Sequence, residues 1–336
     1  MISKSLLALG FAAVSAAALA DSTITVYTAL EADQIKAYQE KFEQETPGVK
    51  IKWVRDSTGI ITAKLLAEKA NPQADVVMGL AASSLLVLEK EGMLQPYAPK
   101  GVEKLTKSYV DGAATPSWVG MDVWGATVCF NTAEAAKQGI KKPESWKDLL
   151  KPEYKGKIVM PNPASSGTGY FDVSAWLTLF GEKGGWDYMD KLHENIAQYV
   201  HSGSKPCKQA AAGEFPIGIS FEYRGASLKK DGAPIDLVFP KEGLGWDLEA
   251  TGIVKGTKNL DAAKKLADWS ASKSANELYE KNFAIVAMPG IAKPIPNIPA
   301  NYEQLLVKQD LKWAANNRDK ILAEWTKRYD SKSAPK

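Results

Sequence analysis

The chain has 336 residues, of which 45% are hydrophobic and 24% charged, a composition typical of a globular protein long enough for two domains. Its formal net charge at pH 7 is only +3, which argues against nucleic acid as a partner. Two histidines without a metal-ligand spacing and two cysteines without a CxxC motif indicate neither a zinc site nor a redox site. We therefore predict no metal and no cofactor.

The first 20 residues have the pattern of an export signal. Lys4 precedes an alanine-rich apolar run from Leu6 to Leu19, and Ala18-Leu-Ala20 forms an A-x-A cleavage site. The run is too short and too rich in alanine for a membrane span. We predict cleavage after Ala20 and a soluble mature chain in the periplasm.

Strands and helices alternate in the first part of the mature chain. Strands are predicted at 23–27, 49–54 and 74–79, and helices at 29–46, 60–69 and 83–91. This alternation is typical of a parallel sheet with helices on its faces.

A second α/β lobe follows the extended apolar stretch at 118–130. Its predicted strands are 156–160, 198–200 and 215–221, and its predicted helices begin at 131 and span 143–150, 171–181, 185–195 and 207–212. A strand at 251–254 is then predicted to return to the first lobe, followed by helices at 260–272, 275–282 and 306–329. We predict an α/β fold with a first lobe formed by 21–121 and 253–336 and a second lobe, with its flanking hinge segments, formed by 122–252.

The stretch from Ile158 to Tyr170 has the pattern of an anion site. A short apolar strand leads through a turn set by two prolines to Ser165, Ser166, Gly167 and Thr168, at the start of a helix expected near residue 170. Free backbone N–H groups at a helix start, with hydroxyls beside them, bind anions. The loop has no Lys or Arg and no GxxxxGK[ST] pattern, so it is not a nucleotide P-loop. The alternative is a Ser/Thr N-cap with turn glycines.

Similar segments follow other predicted strands. Ser57 and Thr58 come after the second strand of the first lobe, and Ser202 and Ser204 follow a strand of the second lobe. In open α/β sheets, ligands bind beyond the carboxyl ends of the strands. We therefore expect these residues to meet the anion from both lobes, although Ser57 and Thr58 would equally suit an N-cap of the next helix.

Acidic and aromatic residues near other strand ends are candidates for an amine site. Glu222 and Tyr223 follow the strand at 215–221, where they could hold an ammonium group by a charge-assisted hydrogen bond and a ring contact. A salt bridge from Glu222 to Arg224 or a lysine is the alternative. Glu31 is a weaker candidate, since an acid in a first helical turn suits the helix dipole. Trp124 is expected to pack in the hinge region.

Neither the cysteines nor the hydroxyl-rich loops form a recognisable reactive centre. Cys129 and Cys207 lie 78 positions apart and could form a disulfide in an oxidising compartment or remain as two buried thiols. The serine-rich loops have no G-x-S-x-G elbow and no histidine in a triad relation. We predict that the protein is not an enzyme.

Several phrases of the chain together resemble one family. They are Thr25-Val-Tyr-Thr-Ala29, Phe130-Asn-Thr132, Pro143-Glu-Ser-Trp-Lys-Asp-Leu149 and Pro161-Asn-Pro-Ala-Ser-Ser-Gly-Thr168. With the export signal and the two lobes, they resemble the periplasmic solute-binding proteins of ABC importers, in the branch that contains ferric-ion, thiamine and phosphonate binders. The resemblance implies a two-lobed periplasmic binding protein fold of type II with the ligand in the cleft, closure on that ligand, and docking to a membrane permease.

Within that branch, the chain is most similar to the 2-aminoethylphosphonate-binding proteins. Ferric binders carry adjacent tyrosines where this chain has Glu222-Tyr223-Arg224, which disfavours iron. The prediction is a monomer that holds a phosphonate with Ser57, Thr58, Ser165, Ser166, Gly167, Thr168, Ser202 and Ser204, and an amine with Glu222, Tyr223 and Glu31. The alternatives are a ferric-ion or other oxyanion binder and an exported phosphoesterase that uses the serine-rich loop.

Overall fold

The computed structural model describes residues 22–335. The predicted export signal and its cleavage site lie outside these residues. Within 22–335, no helix is both long and apolar enough to cross a membrane.

The first lobe begins with three parallel strands, each followed by a helix. These elements are β1 (Ser22–Thr28), α1 (Ala32–Glu45), β2 (Val49–Arg55), α2 (Thr58–Ala67), β3 (Val76–Ala81) and α3 (Ala82–Lys90), followed by the short strand β4 (Leu94–Gln95). Strand β1 pairs in parallel with both β2 and β3. The carboxyl ends of the three strands therefore lie at one edge of the sheet.

The remaining chain builds the second lobe and then returns to the first. Its strands are β5 (Val119–Asn131), β6 (Ile158–Pro161), β7 (Ile196–Val200), β8 (Ile217–Phe221), β9 (Ile235–Val238) and β10 (Trp246–Val254). Its helices are α4 (Thr132–Gln138), α5 (Gly167–Asn195), α6 (Lys205–Ala211), α7 (Glu222–Lys230), α8 (Leu260–Ser270), α9 (Lys273–Tyr279), α10 (Tyr302–Leu305) and α11 (Leu311–Tyr329). Single 3₁₀ turns lie at Val102–Lys104, Lys107–Tyr109, Lys147–Leu150, Pro152–Tyr154 and Asp330–Lys332.

Two antiparallel strands connect the lobes. The first half of β5 pairs with β10, which also pairs with β3 in the first lobe. The second half of β5 pairs with β8 and β9, while β6 pairs in parallel with β7 and β8. The strand order is β2-β1-β3-β10-β5-β8-β6-β7. The predicted two-lobed α/β fold with a two-segment hinge is confirmed.

Several element boundaries differ from the predictions. Helix α5 begins at Gly167 rather than near 170, because Ser166 occupies the N-cap and its hydroxyl accepts from the N–H of Gly169. Gly181 (φ 75°) interrupts α5, which corresponds to the two separate helices that the sequence predicted there. The helix expected at 143–150 is only a 3₁₀ turn, and the final helix begins at Leu311 after an Asp310 cap rather than at 306.

The last helices lie against different lobes. Helices α8 and α9 pack in the apolar core beneath β1, with Leu266 and Tyr279 among the buried residues. Helix α11 lies in the core that includes the second lobe, where the hydroxyl of Tyr170 donates to the carbonyl of Ala314. The ring of Trp325 also packs edge-on against Tyr199 of β7, with their centroids 4.8 Å apart. The final helix thus packs against both α3 and the second lobe.

A disulfide connects β5 to α6. Cys129 and Cys207 are bonded, with their Cα atoms 5.3 Å apart, and both side chains are buried. Of the two alternatives left open by the sequence, the structure has the disulfide. It anchors α6, and with it the loop that precedes this helix, to the strand that comes from the hinge.

Candidate functional site

A cavity lies between the lobes at the carboxyl ends of their parallel strands. Five hydroxyl side chains line it: Ser57 and Thr58 from the first lobe, and Ser166, Thr168 and Ser202 from the second. Gly167 lines it as well. All six were predicted as site residues, and the fold brings them together because each follows the end of a strand at the facing edges of the two sheets.

At the start of α2, the expected N-cap role of Ser57 is only partly observed. Ser57 occupies the N-cap position with extended backbone angles, and its carbonyl accepts from the N–H groups of Ile60 and Ile61. Its side chain makes no capping hydrogen bond. The hydroxyl is therefore free to bind a ligand, and so is the N–H of Thr58, one of the first-turn donors that a helix leaves unpaired.

At the start of α5, capping and lining of the cavity coexist. The hydroxyl of Ser166 accepts from the N–H of Gly169 at 3.4 Å, and Ser166 also lines the cavity. The N–H groups of Gly167 and Thr168 belong to the first turn of the helix and have no intrahelical acceptor. The positive end of the helix dipole adds to the attraction for an anion at this point.

Glycines allow the two hydroxyl sets to approach each other. A Cβ added to Gly167 would lie 2.7 Å from the Oγ1 of Thr58, which belongs to the opposite lobe. A Cβ on Gly203 would lie 2.4 Å from the Oγ1 of Thr168, which belongs to the same lobe. Both distances are shorter than side chains tolerate, so the close approach of the loops depends on these glycines.

Direct hydrogen bonds hold the lobes in a closed arrangement. The N–H of Gly59 donates to the carbonyl of Ser165 at 2.8 Å across the cleft. Nearby, the Nε2 of His201 in the second lobe lies 2.8 Å from the Oδ1 of Asp56 in the first. Burial acts to raise the pKa of Asp56, but the hydrogen bonds from His201 and from the N–H of Ser57 outweigh it and lower this pKa.

Glu31 lines the cavity as predicted, and three cations surround it. The Nη2 of Arg224 donates to its carboxylate at 2.9 Å, and side-chain nitrogens of Arg55 and Lys208 each lie 3.6 Å away. Arg224 also pairs with Asp33 of α1 at 3.1 Å. Since Arg224 and Lys208 belong to the second lobe, this network is another bridge between the lobes. The carboxylate of Glu31 is therefore already paired with these cations.

Glu222 and Tyr223, the other predicted amine ligands, do not line the cavity. Glu222 is fully buried, and its Oε2 accepts from the N–H of Gly125 in the hinge at 2.8 Å. Burial raises the pKa of Glu222 to about 8, although hydrogen bonds from backbone N–H groups oppose this shift. The hydroxyl of Tyr223 donates to Asp33 at 3.0 Å. The first turn of α7 therefore directs Glu222 towards the hinge strand and Tyr223 towards α1 of the first lobe, rather than into the cavity.

Two predicted hydroxyls also lie outside the cavity lining. The Oγ of Ser165 donates to the carbonyl of His201 at 2.7 Å, which fixes the loop rather than exposing the hydroxyl to the cleft. Ser204 is buried at the N-terminus of α6. Both therefore contribute to the position of the neighbouring residues that do line the cavity.

Among the lining residues that were not predicted as site residues, six have larger side chains: Gln34, Arg55, Trp124, Phe221, Glu249 and Phe283. Arg55 and Phe221 each end a strand, so the strand-end rule could have included them. Trp124, expected to pack in the hinge region rather than to form a ligand wall, packs on Phe171 with ring centroids 5.7 Å apart and also lines the cavity. Glu249 and Phe283 come from the hinge and the C-terminal part, where no local pattern marks them.

A pair of carboxyl groups lies at the hinge side of the cavity. Glu249 of β10 stands opposite Asp122 of β5 in the antiparallel register, and Glu249 lines the cavity. Asp122 is completely buried, and its carboxyl group is hydrogen-bonded to that of Glu249. Burial, and then the charges of Glu249 and Glu222, raise the pKa of Asp122 far above its ordinary value.

The chemistry of the cavity suits an oxyanion. Hydroxyls and helix N-terminal N–H groups line one part of it, and Arg55 adds a positive charge. Among residues 22–335, no group of three or more His, Cys, Asp or Glu side chains could hold a metal ion.

Comparison with known proteins relates this fold and site to solute-binding proteins. The chain is 28% identical over 310 residues to a probable ABC transporter periplasmic-binding protein of Sinorhizobium fredii, covering 89% of this chain and 83% of the relative. It is 24% identical over 278 residues to a putative 2-aminoethylphosphonate-binding periplasmic protein of Salmonella paratyphi A, covering 79% and 78%.

A solved structure is also similar over nearly the whole chain. The periplasmic binding protein AfuA from Actinobacillus pleuropneumoniae, with fructose-6-phosphate bound, superposes with a TM-score of 0.86 at 30% identity, covering 92% of this chain and 99% of AfuA. Residues 71–317 match the family described as "Bacterial extracellular solute-binding protein". Because this match spans well over half of the sequence, the chain belongs to the bacterial extracellular solute-binding proteins.

Proposed function

We propose that the protein captures a small organic phosphonate or phosphate in the periplasm, with 2-aminoethylphosphonate as the first candidate, and delivers it to an ABC importer. The observation that carries this proposal is the convergence of five hydroxyls and two helix N-termini, from both lobes, on one cavity. Capture, rather than chemistry, is the role that its family membership supports.

The hydroxyl-rich part of the cavity would bind the phosphorus oxyanion. Ser57 and Thr58 would donate from the first lobe, and Ser166, Thr168 and Ser202 from the second. A dianion with three terminal oxygens can accept from several donors at once, and the two helix dipoles favour its charge. Because the donors come from both lobes, a bound oxyanion would bridge the lobes and stabilise the closed arrangement.

The opposite end of the ligand would meet Glu249 and the aromatic rings of Trp124 and Phe283, all of which line the cavity. A carboxyl group beside aromatic faces suits an ammonium group. Glu222 and Tyr223 lie outside this lining, and Glu31 is already paired with cations. The proposal therefore assigns the amine to Glu249 rather than to the residues predicted from the sequence.

A sugar phosphate is the second candidate ligand. It is favoured by the similarity to AfuA, which binds fructose-6-phosphate. One relative is named for 2-aminoethylphosphonate, and AfuA has fructose-6-phosphate bound. Both ligands carry a phosphorus oxyanion, which supports the proposed anion site for either candidate. The two candidate ligands differ at the end opposite the phosphorus, where 2-aminoethylphosphonate has an amine and fructose-6-phosphate has hydroxyls.

Titration calorimetry on the purified mature protein tests the proposal. The ligands are 2-aminoethylphosphonate, fructose-6-phosphate, inorganic phosphate and ferric citrate. We expect tight binding of 2-aminoethylphosphonate by the native protein. The Thr58→Ala variant should bind this ligand about tenfold more weakly, because one charge-assisted hydrogen bond contributes about 1.5–3 kcal/mol. A matched control is Thr106→Ala, since Thr106 lies at the 3₁₀ turns of the first lobe, away from the cavity lining.

The binding result for each ligand has a distinct consequence for the proposed function. Tight binding of fructose-6-phosphate alone would replace the first candidate by the second. Binding of ferric citrate or phosphate, with no heat from either organic ligand, would contradict the proposal. Turnover of a chromogenic phosphate ester by the same protein would favour the phosphoesterase alternative instead.

A further inference from the structure

The carboxyl pair Asp122 and Glu249 lies outside every residue set predicted from the sequence. Resting on the proposed function, we propose that Glu249, supported by Asp122 behind it, selects ligands with an ammonium group and releases a proton to solvent when such a ligand binds. This assigns a specificity-determining role to a side chain in the hinge strand β10.

Strand pairing places the two carboxyl groups side by side. Glu249 and Asp122 are register partners on antiparallel strands, so their side chains extend from the same face of the sheet with Cβ atoms about 5 Å apart. Glu249 reaches the cavity, whereas Asp122 is completely enclosed behind it. The two carboxyl groups are hydrogen-bonded to each other, and no donor from another described residue reaches the Oε2 of Glu249 or the oxygens of Asp122.

The groups around the pair provide no countercharge. Tyr38 of α1 and Tyr279 of α9 face both carboxyls, Glu222 of α7 faces them from the second lobe, and Glu31 faces Glu249. The cations Arg55, Lys208 and Arg224 are within ion-pair distance of Glu31 instead. Burial and the neighbouring carboxyls raise the pKa of both groups, so at neutral pH Glu249 as well as Asp122 is mainly protonated.

Gln34 is a second and independent sign that this part of the cavity is built for a ligand. Its side chain is only 3% exposed, and its Oε1 is fixed by the N–H of Glu31 at 2.8 Å. Gln34 lines the cavity, and its buried amide nitrogen has no hydrogen-bond partner among the described residues. A buried donor without a partner is costly, so a ligand oxygen that accepts from it would be favoured.

A small zwitterion provides a partner for both groups. Its oxyanion can accept from the amide of Gln34, while its ammonium donates to Glu249 in the same cavity. Trp124, Phe221 and Phe283 also line the cavity, where their apolar rings would strengthen the ion pair and add ring contacts to the cation.

The proton balance of this step is simple. In the ligand-free protein, the O–H bond of the Glu249 carboxyl is intact. When the ligand enters, this bond breaks, its proton passes to solvent, and the carboxylate accepts a hydrogen bond from the ammonium, which keeps its three protons. The ammonium thus supplies the countercharge that the pair lacks.

Calorimetry with two closely matched ligands tests the inference. At pH 7, the mature protein is titrated with 2-aminoethylphosphonate and with 2-hydroxyethylphosphonate, each in two buffers that differ in ionisation enthalpy. We expect about tenfold or greater preference for the amine and release of up to about one proton with the amine only. Glu249→Gln is expected to abolish the preference and the proton release, while the exposed control Glu103→Gln retains both.

The outcomes separate this inference from the proposed function. If neither phosphonate nor any sugar phosphate binds, the proposed function fails. If both phosphonates bind equally, or if the amine binds without proton release, the proposed function stands and the inference is overturned. The proton count of the native protein decides the question even if Glu249→Gln does not fold. A Glu249→Gln protein that still prefers the amine ligand would also overturn the inference.

Discussion

Gly167 illustrates how a single residue connects folding to closure of the cleft. It is the first residue of α5, where its N–H remains free for a ligand, and its missing side chain leaves space for Thr58 of the other lobe. Neither role needs an unusual backbone angle. The requirement comes from the neighbour across the cleft, and it exists only when the lobes are closed.

Substitution of Gly167 by alanine should therefore weaken ligand binding more than it weakens the fold. The added Cβ would lie 2.7 Å from the Oγ1 of Thr58 in the closed state. We expect about a tenfold loss of ligand affinity, which corresponds to about 1.4 kcal/mol, with little change in the melting temperature of the ligand-free protein. Gly112→Ala is the control, because nothing lies within 4 Å of a Cβ at that position. Equal affinities of the two variants would contradict this prediction.

Glu222 shows the cost of a buried carboxyl. Its pKa is raised from 4.5 to about 8 by burial, so the folded protein holds a proton that the unfolded chain has lost at neutral pH. The stability that this group contributes is fully present below pH 4.5 and is lost as the pH rises towards 8. In this range, the loss is about 1.4 kcal/mol per pH unit at most.

Replacement of Glu222 by glutamine should remove this pH dependence, because the amide cannot ionise and its oxygen can still accept from the N–H of Gly125. We expect the free energy of unfolding of Glu222→Gln, relative to the native protein, to increase between pH 5 and pH 8. Urea unfolding at both pH values measures it. The exposed Glu103→Gln serves as a control, and a difference that is independent of pH would disprove the assignment.

At the scale of elements, α6 depends on its disulfide. This helix has only seven residues, too few for independent stability, and it follows directly from the loop that places Ser202 and Gly203 in the cavity lining. The bond from Cys207 to Cys129 fixes the helix to β5. Because the cysteines are 78 residues apart, the bond also closes a long loop in the unfolded chain.

Loss of the disulfide should lower the stability of the fold and the affinity for the ligand. For a Cys129→Ala, Cys207→Ala double variant, we expect the free energy of unfolding to fall by about 2–4 kcal/mol, since the unfolded chain regains freedom. Urea unfolding with and without reductant measures the change. Reductant should destabilise the native protein and leave the double variant unaffected. A native protein insensitive to reductant would contradict the structural role of the bond.

At the scale of the whole molecule, charged side chains bridge the two lobes. Arg224 of the second lobe binds Glu31 and Asp33 of the first, and Tyr223 donates to the same aspartate. These bonds exist only in the closed arrangement. They therefore contribute to the equilibrium between open and closed forms and, through it, to the apparent affinity for any ligand that requires closure.

Removal of the Arg224 charge should shift this equilibrium towards the open form. For Arg224→Gln, we expect a larger radius of gyration in solution scattering of the ligand-free protein and about a tenfold loss of ligand affinity. Lys230→Gln, which removes an exposed charge from the same helix, is the control. If Arg224→Gln and the control scatter and bind alike, the bridge does not govern closure.

The sequence alone was sufficient for the class of fold and for the hydroxyl side chains that line the cavity. Periodicity and strand-end position depend on neighbours along the chain, so they identified the alternating strands and helices and the hydroxyls of Ser57, Thr58, Ser166, Thr168 and Ser202. The free N–H groups at a helix start are likewise a local property, which is why the loop before α5 could be recognised as an anion site.

Only the tertiary structure decided what faces those hydroxyls. Glu222 lies at a strand end like the others, yet the hinge strand takes its hydrogen bond, while Glu249 reaches the cavity because β10 pairs with β5. Which acid is buried and which is available depends on contacts between strands 100 or more residues apart in sequence, as between Asp122 and Glu249. Local patterns carry no information about such contacts, because burial and electrostatic environment arise only when the distant segments pack together.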